Sequence, residues 1–395
     1  MSDVYLNVMG IVSALGNGHE ETLINLAAGN TKGVKLLRGV LADGNDMEFG
    51  SYSGLIKEIP EEFTIFSSRN LQLAFTALEQ IQQEVEASIE LYGNDRIAVV
   101  IGTSTSGIEE GEKALRNLNT EDKFPQEFNF LQQEMGSTSE FIARLYGIHG
   151  PALTISTACS SSAKAFGVAK RLLDQDICDA VIVGGVDSFC QLTANGFSSL
   201  SALHNGSGCL PFSKNRSGTV LGEASTLFLM SREIKGCLLA SIGESTDAYT
   251  MTSPDPTGAG AIDAIKVALS DAGLSPQDID YVNLHGTGTR QNDFMEAKAI
   301  HEVFGRLKPS LSSTKPLSGH TLGAAGALEV GFCWLSLSSY LLPVHVWDEI
   351  IDPDIPLTLF VKRGDTLPGN GMNWCMSNSY AFGGSNACVI LGRVN

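Results

Sequence analysis

Pro151-Ala-Leu-Thr-Ile-Ser-Thr-Ala-Cys159-Ser-Ser-Ser-Ala163 is the stretch that decides the fold. Residues 153–156 read as a short apolar strand, 157–160 as a turn of small residues, and Ser161–Asp174 as a helix-length segment. Working outward, 97–101 (IAVVI), 180–183 and 281–284 are continuous apolar runs, the mark of strands buried on both faces of a parallel or mixed sheet. Apolar residues at 71–89 are spaced by threes and fours, 20–28 is amphipathic, helix-length segments lie between strands at 139–146, 260–272 and 294–304, and further strands are expected at 4–8 and 226–230. Strand and helix alternate, so the fold class is layered α/β. No Pro- or Ser-rich linker interrupts the pattern, and two halves, 1–240 and 241–395, are expected to share one body. Residues 30–65 are polar and irregular, and the pattern does not order them.

Of 395 residues, 43% are hydrophobic and 18% charged, which supplies a large core and excludes a disordered chain. Forty-two glycines without a repeat period point to tight turns and close backbone approaches. The net charge of −18 argues against a general nucleic-acid binder, which needs a basic face. An acidic protein partner stays possible, because docking needs only a local basic patch. No apolar run reaches the ~18 residues of a membrane span, and the start, Met1-Ser2-Asp3-Val4-Tyr5, lacks the basic stretch of a signal peptide. Eight cysteines without C-x-x-C spacing read as reduced thiols, hence a cytoplasmic location.

The chemistry starts from Cys159. A cysteine at a helix N-terminus sits near free N–H groups and the positive end of the helix dipole, which favour thiolate and make a nucleophile. The bland alternative is a buried structural cysteine. Two later turns weigh against it. His285-Gly-Thr-Gly-Thr289 leaves a strand, and His320 stands in Ser313-Thr-Lys315-Pro-Leu-Ser-Gly-His320-Thr-Leu-Gly-Ala-Ala-Gly-Ala-Leu-Glu329. The glycines at 323–327 imply close approach of backbones or helices. Other readings fall away. Gly286-Thr-Gly288 lacks the third glycine of a dinucleotide fingerprint, no Ser occupies G-x-S-x-G, and the histidines never pair at metal-site spacing. No resident metal or cofactor is expected.

With these residues assembled, the chain resembles the β-ketoacyl-acyl-carrier-protein synthases, elongating class, of the thiolase-like superfamily. The resemblance is carried by Thr157-Ala-Cys159-Ser-Ser, Gly184-Gly-Val-Asp187, Pro211-Phe212, Gly222-Glu223, Met251-Thr-Ser-Pro254, His285-Gly-Thr with Asp293 and Glu296, Thr314-Lys315, Gly319-His320 and Asn378-Ser-Tyr-Ala-Phe382-Gly-Gly-Ser-Asn386, in the family's order. It implies an αβαβα fold of two similar halves and decarboxylative Claisen condensation with malonyl-carrier protein. Cys159 would carry the acyl chain and His285 and His320 would donate to the enolate oxygen. Backbone N–H groups of Cys159 and Phe382 would form a second oxyanion hole. Lys315, paired with Glu329, would orient His320. Thr252, Thr287 and Thr289 would hold the phosphopantetheine arm, and Phe166 and Phe382 would shape the acyl pocket. A thiolase would need a second cysteine in the final glycine loop, and initiating synthases have asparagine where His320 stands.

Departures from the family pattern narrow the expectation. Ala381 replaces a glycine beside Phe382, and the basic docking helix keeps one charge, Ser68-Arg69-Asn70-Leu71-Gln72. Carrier docking is therefore expected on Arg69, Lys214 and Arg216, or on a cognate carrier with altered charges. With its short chain and Ala-Phe-Gly-Gly loop, the protein resembles synthases of aryl-polyene or type II polyketide pathways more than housekeeping fatty-acid enzymes. The competing reading is a chain-length-factor-like partner, which keeps the fold and shapes an active synthase's pocket. By resemblance the chain is a homodimer or pairs with a related ketosynthase-like chain, with Phe128 and Phe130 closing the partner's acyl pocket.

Overall fold

The computed structural model describes residues 3–394 except 207, 306, 308, 358–359 and 366–370. The expected first strand becomes β1 (Tyr5–Ser13), with β2 (Gly16–Asn17) hairpinned on it and α1 (His19–Ala28) following. Residues 30–65 contain β3 (Val34–Leu37) and β4 (Met47–Gly50). The segment 71–89, read as one helix, is α2 (Arg69–Leu78) and α3 (Gln82–Tyr92), separated by a 3₁₀ turn at Glu79–Ile81. The break has a cause. Gln80 turns out of the helix to accept from the Ile11 N–H at 3.0 Å and donate to the Ile11 carbonyl at 3.1 Å.

The chain continues through β5 (Ile97–Gly102), α4 (Ile108–Glu121), α5 (Ser137–Tyr146), β6 (Ala152–Ile155), α6 (Ser161–Asp174), β7 (Ala180–Asp187), α7 (Gln191–Ser199), β8 (Leu221–Gly222) and β9 (Ala224–Ser231). The second half holds β10 (Cys237–Thr246), α8 (Ala259–Ala272), β11 (Tyr281–Asn283), α9 (Arg290–Phe304), β12 (Ser310–Ser312), α10 (Lys315–Ser318), α11 (Ala325–Ser339), β13 (Trp374–Tyr380) and β14 (Ser385–Arg393).

The main sheet runs β12-β11-β13-β14-β10-β1-β9-β7-β5-β6. Numbering its strands within each half gives the same order twice, third-second-fourth-fifth-first. The parallel and antiparallel pairings repeat as well. The fold is thus duplicated, and the halves join through Tyr5↔Leu238 and Leu6↔Cys237. The chain passes between them at 232–236, just before residue 240.

Burial on both strand faces makes five layers. From β5, Ala98 and Val100 face a central core shared with α6 and α11, while Ile97, Val99 and Ile101 face an outer core with α2 and α5. In the second half Cys375 faces the centre and Met376 faces α8 and α9. This explains why the strand runs read as unbroken apolar sequence rather than alternation.

Two secondary features back the site. The small sheet β3-β4-β8 buries Met47, Phe49, Leu221 and Leu322. Its parallel β4–β8 pairing joins residues some 170 positions apart (Phe49↔Leu221), so local pattern could not reveal it. The glycine-rich run after His320 lets α11 cross α6 closely: a Cβ on Gly326 would meet the Ala163 backbone nitrogen at 2.7 Å. Gly326→Ala is expected to force the two helices apart and cost about 1–3 kcal/mol. Urea denaturation of the variant beside the wild-type protein measures this, and unchanged stability would disprove the tight crossing.

Candidate active site

Three strand ends meet in one buried place. Cys159 follows β6, His285 follows β11, and His320 follows β12 and α10. All three are buried, and their donor atoms lie within 4.8 Å of one another. The His320 Nε2 is 3.1 Å from the Cys159 Sγ, and the two imidazole rings meet edge-on with centroids 5.2 Å apart.

Each member is fixed by its own element. Ala158 adopts φ +51°, a left-handed conformation that turns the chain sharply between β6 and α6 and presents Cys159. His320 is held by its backbone, whose N–H donates to the Val220 carbonyl (2.6 Å) and whose carbonyl accepts from Gly222 (3.0 Å). The loop after β11 hangs on two acids of α9. Glu296 accepts from the N–H groups of His285 and Gly286, each at 2.7 Å, and Asp293 accepts from Phe212 at 2.8 Å and Gly288 at 3.2 Å. Burial pushes Glu296 up to about 8 and Asp293 up to about 6. Their three-residue spacing on one helix is the trace they leave in the sequence.

Lys315 is fully buried, and its ammonium is 2.5 Å from Glu329 Oε1. Its second contact is His285 Nδ1 at 3.4 Å, and not His320 as expected. Five residues of chain separate Lys315 from His320, but α10 intervenes and turns the lysine toward the β11 loop. An ammonium only donates, so His285 Nδ1 accepts and its proton resides on Nε2.

Electrostatics correct a second expectation. Burial pushes the Cys159 thiol up to about 12, against Lys315 and the backbone N–H groups of Phe382 and Cys159, which favour the thiolate. Desolvation is the largest of these influences, and it favours the thiol over the thiolate. Burial first, and Lys315 second, hold both histidines well below the usual imidazole range. By distance the Cys–His–His set could also take a metal ion, a grouping that the sequence spacing hid. Lys315 sets a positive charge against one.

The trio opens on a cavity of about 480 Å³ lined by Phe197, Thr252, Thr287, Thr289, Tyr380 and Phe382 among others. Thr287 and Thr289 share a hydrogen bond of 2.9 Å, whereas Thr252 is exposed at the rim. Phe382 stacks on Phe197 at 5.4 Å, a partner that sequence reading did not single out. Phe166 does not line this cavity. It lies on the α6 face that packs into the central core, 5.5 Å from Phe228.

Two of the three expected docking cations are engaged elsewhere. Arg216 is 5% exposed and pairs with Asp352, and Arg69 forks onto Glu223 (2.5 and 3.0 Å) and the Tyr52 carbonyl. Both carboxylates lie over 130 residues away in sequence, which is why the arginines looked free. Lys214 is exposed.

The family models for the β-ketoacyl synthase N-terminal and C-terminal domains match residues 56–235 and 236–346. The chain belongs to the β-ketoacyl synthase family. It is 30% identical to the 3-oxoacyl-[acyl-carrier-protein] synthase 2 of Staphylococcus aureus, over 99% of this chain and 98% of that protein. It superposes on a chain from the complex of a ketosynthase (ApeO) with its chain length factor (ApeC) from Xenorhabdus doucetiae, with TM-score 0.93, 41% identity, and 99% and 98% of the two chains covered. The ishigamide ketosynthase/chain length factor gives TM-score 0.89 at 26% identity, with both chains fully covered.

A thiol resting well above the ordinary cysteine range makes a test. Iodoacetamide alkylation of Cys159, followed by peptide mass mapping, is expected to keep accelerating above pH 9. A rate that levels off by pH 7 would instead show a resting thiolate–imidazolium pair.

Proposed function

We propose that the chain elongates an acyl group on an acyl carrier protein, through an acyl-Cys159 intermediate, with malonyl-carrier protein as the two-carbon donor. The observation that carries this reading is the 3.1 Å contact of His320 Nε2 with Cys159 Sγ, beside a second histidine whose Nε2–H is fixed as a donor.

In the first half-reaction the thiol passes its proton to His320 as sulfur attacks the acyl-pantetheine thioester. A sulfur–carbon bond forms at Cys159, the pantetheine carbon–sulfur bond breaks, and the proton goes to the leaving thiol. The N–H groups of Cys159 and Phe382 receive the acyl oxygen, a role supported by their hydrogen bonds toward the Cys159 sulfur. In the second, malonyl thioester loses CO₂ and its enolate carbon attacks the acyl-enzyme. The new carbon–carbon bond forms as the Cys159 thioester breaks, and one solvent proton restores the thiol. His285 Nε2–H donates to the enolate oxygen throughout. His320, no longer facing S–H, exchanges its ring proton from Nδ1 to Nε2 through solvent and joins it as a second donor. Lys315 fixes the His285 tautomer, Glu329 balances its charge, and Thr252, Thr287 and Thr289 hold the phosphopantetheine arm.

The intact Cys–His–His set gives the chain the condensing role rather than that of a pocket-shaping partner. Its location is cytoplasmic, supported by eight free, buried cysteines. Among the described residues, one helical stretch has the length and apolarity of a membrane span, Leu322–Ser339, and 83% of it is buried in the core. We assign it a partner chain of the same fold. The edge strand β6 leaves Leu153 38% exposed, and Phe130 (61%), Phe124 (49%) and Met135 (36%) are exposed upstream of it. An edge strand of that kind invites pairing. Phe130 does not line its own chain's cavity, consistent with serving the partner's. The 41% likeness to a chain from a ketosynthase/chain-length-factor complex and the Ala381-Phe382 departure together favour an aryl-polyene or type II polyketide pathway. We place the functional halves on either side of the 232–236 crossing, a few residues before the expected division at 240.

Intact mass after incubation with a panel of acyl-carrier proteins is expected to show one acyl group, absent in Cys159→Ala. His285→Ala is expected to lose malonyl decarboxylation by about 10²–10³, the scale of one preorganised donor, while retaining most acylation. His320→Ala is expected to lose both steps. A Cys159→Ala variant that still elongates, or a His285→Ala variant that fails mainly in acylation, would refute the assignment.

A further inference from the structure

Asp187, at the end of β7, is a fully buried carboxylate to which the chemistry above gives no part. No lysine or arginine pairs with it among the described residues. It is held only by donors. Its Oδ1 accepts from Thr103 Oγ1 (2.6 Å), Ser104 N, Thr105 N and Thr105 Oγ1 (each 2.8 Å), and its Oδ2 accepts from Ser104 N (3.1 Å) and Gly323 N (2.5 Å). These donors come from two separate segments, and each adjoins one member of the catalytic pair. Ser104 Oγ donates to the carbonyl of Ala158, the left-handed residue before Cys159 (3.2 Å). Gly323 follows His320 by three residues, directly after Leu322 at φ +53°. A Cβ on Gly323 would stand 2.6 Å from Ser104 Oγ and 2.8 Å from Asp187 Oδ2.

We infer that Asp187 is a positioning residue, a buried anion that locks the His320 turn to the Cys159 elbow and so sets the Sγ–Nε2 contact. The inference deepens the reaction proposed above and rests on it only for the turnover arm of its test.

The sign of one rate separates this role from others. The Asp187 charge opposes a thiolate at Cys159, so losing the charge alone would speed alkylation, and a loosened fold would also speed it by exposing sulfur. Loss of register with His320 removes the proton acceptor and slows it. Asp187→Asn is therefore expected to lower the iodoacetamide rate per titratable Cys159 at pH 7.5 by about 10- to 100-fold, the scale of a small misplacement of reacting groups. The kcat per titratable thiol is expected to fall in step, with KM for the acyl-carrier protein unchanged. Should Asp187→Asn not fold, Gly323→Ala asks the same question with the carboxylate intact, and the same fall is expected. An alkylation rate at or above wild type in a folded variant of either kind overturns the inference. Wild-type protein that alkylates but elongates no acyl chain would instead remove the proposed function, and the alkylation arm would still decide for Asp187.

Discussion

The buried Lys315–Glu329 pair is the interaction on which the site's chemistry turns. Taking an ammonium into the protein interior costs several kcal/mol unless it is matched, and removing one partner of such a pair typically costs about 3–5 kcal/mol. Glu329 on α11 supplies the match, at 2.5 Å. The cation then acts on every reacting group. It fixes His285 as a donor at Nε2, helps keep both imidazoles neutral, and offsets part of the burial that raises Cys159. Glu329 itself is pushed up to about 6 by burial, although Lys315 pulls the other way. The sign follows: with the folded value above the ordinary glutamate value, the neutral acid is favoured in the folded state, and stability is lost as pH rises through about 6. Lys315 limits that loss at neutral pH.

How much of this was legible in sequence depends on distance along the chain. Strand ends carrying Cys159, His285 and His320 were readable, because buried strands announce themselves as apolar runs and the turns after them as glycine and threonine. Which face of a helix points where was not. Phe166 sits on α6, where apolar and small residues surround most of the helix, so the pattern could not tell core from cavity. Arg69 and Arg216 looked like free surface cations because Glu223 and Asp352 reach them from remote segments. Lys315 was assigned to His320 from adjacency in sequence, and space put it against His285. The order in 30–65 depends on a parallel pairing with β8, which no local period encodes. Helix α2–α3 looked continuous because the residue that breaks it, Gln80, does so for a bond to β1.

The neutral resting state also bears on how the nucleophile works. A cysteine with its proton on sulfur, facing an imidazole held neutral, has little tendency to react with stray electrophiles. It becomes a nucleophile when a thioester offers a place for the displaced proton and when the N–H groups of Cys159 and Phe382 receive the oxyanion. Burial thus lowers background reactivity, while the preorganised donors lower the barrier of the intended step.

Duplication explains why these groups meet at all. In each half the third strand leads to a helix of the central layer, α6 after β6 and α11 after β12. Cys159 lies two residues before α6, and His320 five before α11. They are counterparts in the repeat, so the joining of the halves that stacks α6 on α11 also brings the sulfur of one turn to the nitrogen of the other. His285 enters from the second strand of the later half. The last strand-end loop, carrying Phe382, follows the fourth strand of that half. Ligand sites outside the carboxyl ends of strands are a general property of α/β sheets. Here two such sets converge, so a thiol from one half is served by imidazoles from the other.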